Sequence, residues 1–158
     1  GKTTQSKALY ELLSPKIKEL LLLDGEQVRT FSNNDLGYTK EDRLIQLNRL
    51  QNLVKVVSDQ GIFVVVAALY SNPSVLEWNR KNYKNYFEIY MEASLPTLLD
   101  RDRLDLYSDE SDENNVVGKD ITWIPPINPD MIINTDNSPS PKVMAEKIIN
   151  EIKFIEKV

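Results

Sequence analysis

Residues 62–69 read Ile-Phe-Val-Val-Val-Ala-Ala-Leu, eight apolar positions in a row and rich in β-branched side chains. A strand of that composition can turn neither face to water, so it belongs in a parallel sheet with helices covering both sides. The neighbouring segments supply the helices. Residues 3–13 carry Ala8, Leu9, Leu12 and Leu13 as a helical stripe that stops at Ser14-Pro15. Residues 41–58 place Leu44, Leu47, Leu50, Val54 and Val57 at helical spacing until Gly61 breaks the pattern. Leu20 to Leu23 is a second short apolar run, ending at Asp24-Gly25, and reads as a buried strand followed by a polar loop. Ser71-Asn72-Pro73 caps a helix running from 74 towards 83, and residues 86–91 read as a third strand. Residues 131–133 follow Pro125, Pro126 and Pro129 as a fourth strand, and residues 141–155 form a last helix. Strand and helix alternate throughout. The expected fold is α/β, a three-layer sandwich around a parallel sheet, and no repeat or low-complexity linker divides residues 1–158 into more than one domain.

The first four residues, Gly1-Lys2-Thr3-Thr4, open the first helical stripe. They match the second half of a phosphate-binding loop, GxxxxGK[ST], in which backbone N–H groups wrap the phosphates, the lysine reaches the β- and γ-phosphates, and the hydroxyl holds Mg²⁺. Lys2 and Thr3 would take the last two roles. An ordinary helix start with a Thr cap would show the same residues, so the fragment alone leaves both readings open. A phosphate loop is fed by a strand. The expectation is therefore a P-loop NTP hydrolase-type sandwich whose central first strand and first half-loop lie outside this sequence. A chain starting at Gly1 is then expected to bind ATP poorly.

Composition removes several chemistries. The 158 residues contain no Cys and no His, which excludes disulfides, thiolate nucleophiles, Cys-based zinc sites and imidazole bases. Proton transfer falls to a carboxylate, Lys, Tyr or water. No apolar run approaches the roughly 20 residues of a membrane span and no leader pattern opens the sequence, so the expectation is a cytoplasmic protein with no membrane partner. The net charge of −5 sits in one place, where Asp100, Asp102, Asp105, Asp109, Glu110, Asp112 and Glu113 face only Arg101 and Arg103. Such a run reads as a solvated loop. No basic stripe of the kind a nucleic-acid partner requires is present.

From Asp24 onward the sequence resembles the adenylylsulfate (APS) kinase family over nearly its whole length. The markers are Leu23-Asp24-Gly25-Glu26-Gln27-Val28-Arg29, where the family has LDGDxxR, and Asp35-Leu36-Gly37-Tyr38-Thr39-Lys40-Glu41-Asp42-Arg43, where it has DLGFSxxDR. Arg49 in the long helix, Ser71 after the apolar strand, Phe87-Glu88-Ile89-Tyr90, Arg101-Asp102 and Leu106-Tyr107 continue the match. Several ordered motifs at matching separations are far more specific than the four-residue fragment, and they favour its phosphate-loop reading.

The resemblance implies an ATP- and Mg²⁺-dependent transfer of a phosphoryl group to the ribose 3′-hydroxyl of adenosine 5′-phosphosulfate. Gly1, Lys2, Thr3, Thr4 and Arg101 would bind ATP, with Arg101 at the start of a lid over about 100–120. Thr3 and Asp24 would hold the metal, and Asp24 with Lys2 would carry the chemistry, Asp24 orienting or deprotonating the acceptor hydroxyl. Glu26, Arg29, Tyr38, Arg43, Gln46 and Ser71 would bind the acceptor, the arginines as arms on its phosphate-type groups and Tyr38 as the ring packed on a base. Read as bare residues, Asp24-Gly25 is also a common turn, Arg101 a helix-end charge, and Trp78 and Trp123 packing residues. Family members are commonly dimers, so the resemblance implies a homodimer, although no residue pattern marks an interface.

The sequence also departs from the family. Glu26 replaces the second Asp of LDGD, and the family's RDxKGLY lid reads Arg101-Asp102-Arg103-Leu104-Asp105-Leu106-Tyr107. A basic stretch becomes Ser108-Asp109-Glu110-Ser111-Asp112-Glu113, Phe-Thr-Gly becomes Val116-Val117-Gly118, and Asn-Ile-Arg-Arg becomes Gln46-Leu47-Asn48-Arg49. These changes fall on acceptor recognition more than on ATP handling. Losing a cation and an aromatic while gaining acids weakens the case for a dianionic phosphosulfate. A second acceptor is therefore cytidine diphosphoramidate, which some members associated with capsule and surface-glycan pathways phosphorylate, also on the 3′-hydroxyl. A reading from another class is a nucleotide-binding regulatory module without catalysis.

Overall fold

Asp24 owes its place to a parallel ladder. Leu20–Asp24 (β1) runs beside Phe63–Ala67 (β2), with Leu20 opposite Phe63 and Asp24 opposite Ala67. The computed structural model describes residues 1–69, 72–101 and 122–155. Alternate side chains of β2 serve two cores. Val65 enters one with Leu9 and Leu13 of Lys2–Leu13 (α1) and Met144, Ala145 and Ile148 of Pro141–Glu151 (α6). Val64 and Val66 pack on the other, with Val28 of Gly25–Phe31 (α2) and Leu50 and Val54 of Lys40–Ser58 (α3). The two-sided burial implied by the apolar run is thus met by helices on both faces.

A second parallel ladder joins Ile89–Glu92 (β3) to Met131–Asn134 (β4), with Ile89 opposite Met131. The described strands form two two-stranded sheets, β1-β2 and β3-β4, where the sequence pattern led us to expect a single sheet. Ile133 of β4 shares the core of Val65, so α1 and α6 bridge the pairs by packing in place of backbone hydrogen bonds. The amino end of α1 reaches both. A Cβ on Gly1 would stand 3.4 Å from Met91 Cε of β3, and Thr3 bonds Asp24 at the end of β1.

Several boundaries differ from the sequence expectation for identifiable reasons. The loop expected after Asp24 is α2, capped by the Asp24 carboxylate on the Glu26 N–H. Helix Leu95–Asp100 (α5) was also not foreseen; Ser94 caps it and Pro96 sits in its first turn. The third strand starts at Ile89, not 86, because the Glu88 N–H is held by the Asp130 carboxylate at 2.8 Å and the Tyr86 hydroxyl donates to Glu88. The apolar strand is Phe63–Ala67 within 62–69. The last helix stops at Glu151 because Ile152 leaves helical geometry, while Phe154 and Ile155 still pack on the first core and so prolong the apolar pattern. Between these two, Pro73–Asn82 (α4), capped by Asn72, packs on α3 through Gln51, which donates to Val75 O and to Asn79 Oδ1 at 2.6 Å. Among the described residues no helix is long and apolar enough to cross a membrane.

Burial makes a simple stability contrast. Leu13 is fully buried whereas Phe31, at the end of α2, is 86% exposed. Leu13→Ala is expected to cost about 2–5 kcal/mol and Phe31→Ala less than about 0.5 kcal/mol, read from urea unfolding midpoints.

Candidate active site

The carboxyl end of β1 and the first turn of α1 meet. Thr3 Oγ1 donates to Asp24 Oδ2 at 2.7 Å, across twenty-one residues of sequence. The other carboxylate oxygen accepts the Glu26 N–H at 3.0 Å, so one side chain caps α2 and faces α1. The first-turn N–H groups of a helix have no partners inside it and attract anions. Here Gly1 supplies no side-chain cap to cover them. A cavity of about 300 Å³ opens beside this junction, lined by Thr3, Ser6, Lys7, Leu22, Asp24, Glu26 and Gln27. A larger one, near 400 Å³, lies between Lys16 and Ile155 and touches none of the candidate site residues.

Lys2 is exposed as a residue, yet its ammonium has lost part of its water. Loss of water around it holds its pKa below the ordinary 10.5, with attraction from Asp24 acting in the opposite sense. A desolvated cation near a helix amino end is poised for a phosphate, whose charge would restore what the missing water does not supply. Thr3 and Asp24 contribute hard oxygens, the donor type that Mg²⁺ takes while keeping waters and substrate phosphates in its other positions. No group of three or more His, Cys, Asp or Glu suited to a metal occurs among the described residues.

The expected acceptor residues form a second cluster, built on α2, α3 and the segment between them. Arg29 is buried and spends Nη1 on two carbonyls, Leu36 O at 3.0 Å and Gly37 O at 2.9 Å. It therefore acts chiefly as a clamp on the loop that carries Tyr38, whereas the sequence reading made it a phosphate arm. Its guanidinium lies 4.5 Å from the centre of the Tyr38 ring, and that of Arg43 lies 5.3 Å from it. Arg43 Nε also donates to Tyr38 O at 3.0 Å. The loop has no room for a side chain at Gly37, where a Cβ would stand 2.9 Å from Asp42 Oδ2. Thr39 starts α3 by capping the Asp42 N–H, and Asp35 grips Arg49 through two bonds of 2.7 Å. Gln46 is buried and donates to Gly25 O at 3.3 Å, which ties α3 to the residue after Asp24.

Arg101 reaches the donor side indirectly. It donates to Thr135 O at 2.9 Å and to Thr135 Oγ1 at 3.3 Å, and the Thr135 methyl carbon lies 3.8 Å from the Cβ position of Gly1. Thr4 is exposed in the first turn of α1, and Glu26 is exposed at the start of α2 with its carboxylate 4.0 Å from Arg29 Nε. Ser71 and the expected lid from Asp102 to about 120, including its acidic run and Val116-Val117-Gly118, lie outside the described residues. Two residues escaped the sequence reading. Lys7 follows Thr3 by one helical turn, a spacing that put it on the same face from the start. Thr135 had no signal, since nothing in Asn134-Thr135-Asp136 foretells its contact with Arg101.

A family model described as adenylylsulphate kinase matches residues 1–134. A cytidine diphosphoramidate kinase of Campylobacter jejuni is 34% identical over 154 residues, covering 96% of this chain and 89% of that protein. An adenylyl-sulfate kinase of Gloeothece citriformis is 30% identical over 138 residues, covering 86% and 78%. Among solved structures, the Mycobacterium tuberculosis APS kinase in complex with AMPPNP and APS superposes with a TM-score of 0.82 at 26% identity, over 97% of this chain and 91% of that one.

The lowered pKa of Lys2 has a sign that can be checked. Between that value and 10.5 the unfolded chain binds more protons than the folded one, so stability rises with pH across that window. Lys2→Met is expected to flatten this rise in urea unfolding followed through the alkaline range.

Proposed function

This chain belongs to the adenylylsulphate kinase family, and on that premise we propose that it is an ATP-dependent kinase acting on the ribose 3′-hydroxyl of a nucleotide. The observation that carries the proposal is the meeting of Lys2, Thr3 and Asp24 at the amino end of α1. Phosphoryl transfer needs positioning and charge neutralisation more than covalent help, and these three residues supply both. The α1 N–H groups and Lys2 hold the β- and γ-phosphates of ATP. Thr3 and Asp24 would hold Mg²⁺, which would supply charge neutralisation on the phosphates. Asp24 orients the acceptor hydroxyl; its oxygen bonds to the γ-phosphorus as the bond to the ADP oxygen breaks, and its proton passes to the carboxylate or to water. Arg101, fixed on Thr135 beside Gly1, closes the donor side.

On the acceptor side, Arg43 and Tyr38 face the incoming nucleotide, held in register by Arg29. Two acceptors have support. Adenosine 5′-phosphosulfate is favoured by the family match and by the APS bound in the Mycobacterium tuberculosis enzyme. Cytidine diphosphoramidate is favoured by the 34% identity to the Campylobacter jejuni kinase and by the acids and lost aromatic of residues 105–118. A cytoplasmic location, to be read by cell fractionation, and a homodimer, to be read by sedimentation, belong to the same proposal.

Full-length protein incubated with ATP and Mg²⁺ and each acceptor separately is expected to yield a 3′-phosphorylated product with one of the two. Asp24→Ala is expected to lower kcat by roughly 10²–10⁴-fold. Wild-type protein inert on both acceptors would favour the catalytically silent regulatory module, and turnover undiminished in Asp24→Ala would remove Asp24 from the chemistry.

A further inference from the structure

Helix α5 ends at Arg101, and none of its six residues is buried. Leu95 and Leu99 stand 58% and 48% exposed. Isolated helices shorter than about 12–15 residues are marginal in water, and in proteins they take most of their stability from a packed apolar face. With no buried face, α5 is placed by whatever grips its ends. Both grips come from the two residues that follow β4. At the amino end the Ser94 N–H donates to Asp136 Oδ1 at 2.9 Å, while Ser94 Oγ accepts the Thr97 N–H at 3.4 Å. At the carboxyl end Arg101 donates to Thr135 O at 2.9 Å and to Thr135 Oγ1 at 3.3 Å. The gripping segment is itself fixed. The Thr135 N–H and hydroxyl donate to Glu92 O at 2.8 and 3.0 Å, and the Asp136 N–H donates to Asn134 Oδ1 at 2.9 Å.

The same segment lies against the donor side. The Thr135 methyl carbon is 3.8 Å from the Cβ position of Gly1, at the helix end where Thr3 bonds Asp24. The Asp136 carboxyl is held below its ordinary range, chiefly by the Ser94 N–H and next by the Thr97 hydroxyl, with the Arg101 charge adding to them. We propose that Asp136 is a positioning residue, which anchors the amino end of α5 and thereby sets the Arg101 guanidinium beside the amino end of α1. The inference rests on the reading of Arg101 as an ATP-side residue and deepens it. Asp136 grips the end of α5 opposite Arg101, so it acts through the helix and not on the nucleotide. Without this anchor Arg101 has to be ordered each time ATP binds, which weakens ATP and leaves the chemistry at Asp24 untouched.

The test measures the Kd of AMPPNP with Mg²⁺, together with KM for ATP and kcat, in full-length protein. Asp136→Ala is expected to raise Kd and KM by about three- to tenfold, the contribution of one hydrogen bond, with kcat changed by less than about twofold. Asp136→Asn keeps an acceptor oxygen for the Ser94 N–H and is expected to return both constants to within about twofold of wild type. If Asp136→Ala does not fold, Asp136→Ser, whose side chain is too short to reach that N–H, takes its place with the same expectation. Arg101→Ala is expected to weaken AMPPNP at least as much, and Asp136→Ala added to it to cause no further loss, since residues acting as one unit are not additive. Undiminished binding in Asp136→Ala, no recovery in Asp136→Asn, or additive losses in the double variant overturn the positioning role and leave the kinase reading standing. So does a loss shared equally by kcat and the acceptor KM. AMPPNP binding undiminished in Arg101→Ala removes Arg101 from the donor site, and wild-type protein that does not bind AMPPNP removes the kinase reading; either result overturns this inference as well.

Discussion

The pairing of β1 with β2 is the constraint from which the rest of the structure follows. The register that sets Leu20 against Phe63 delivers Asp24 to the carboxyl end of the ladder, opposite Ala67. Open parallel sheets bind ligands outside their carboxyl ends. The same strand, apolar at every position, draws α1 and α6 to one face and α2 and α3 to the other. Because α1 packs on one face while its first turn passes the strand ends, Thr3 arrives at Asp24 without any sequence-local reason to do so. Asp24 then caps α2, and α2 carries Arg29. One carboxylate thus links the first turn of α1 to the first turn of α2.

Three arginines show how the loop between α2 and α3 divides its work. Arg29 is buried and holds two loop carbonyls; Arg49 pairs with Asp35 at the surface and lowers the pKa of that carboxyl; Arg43 stays on the accessible face of Tyr38's loop. The guanidinium fork makes the first two roles possible, since each demands more than one donor in a fixed geometry. A lysine at position 29 would bring a single point charge to two carbonyls set apart along the chain. All three arginines thus help to hold this loop, each through different partners, although they carry the same charge.

Much of this was legible in the sequence where a physical pattern is long or a motif is dense. The helical spacing of Leu47, Leu50 and Val54 located α3 to within a residue, and the unbroken apolar run located β2. Short elements escaped because their signals are local and weak. Gly25–Phe31 begins on a residue with poor helix propensity, and only its Asp24 cap marks it. The start of β3 was misplaced because side chains of Tyr86, Glu88, Arg80 and Asp130 take over the bonds that a ladder would make, and periodicity does not register such exchanges. In the site, Lys2, Thr3 and Asp24 were foreseen as a set and do converge. The clamping role of Arg29 was not foreseen, because it depends on which carbonyls the folded loop turns inward, and one-dimensional spacing carries no record of that.

The placement of polar groups separates parts that stabilise from parts that wait for a ligand. At the amino ends of β3 and β4, Arg80 meets Glu88 and Asp130 and donates to Asn128 O, and Asn79 is bonded by Gln51; each of these side chains finds a partner inside the protein. On α2 and α3 the pattern differs, with Gln46 Oε1 and Arg29 Nε buried without a hydrogen-bond partner, although the Glu26 carboxylate pairs with Nε at 4.0 Å. The fold evidently can satisfy buried polar atoms, since it does so in the first network with longer side chains and more charge. Leaving two without a hydrogen bond is destabilising, and departures from local consistency of this kind concentrate where a protein acts on something else.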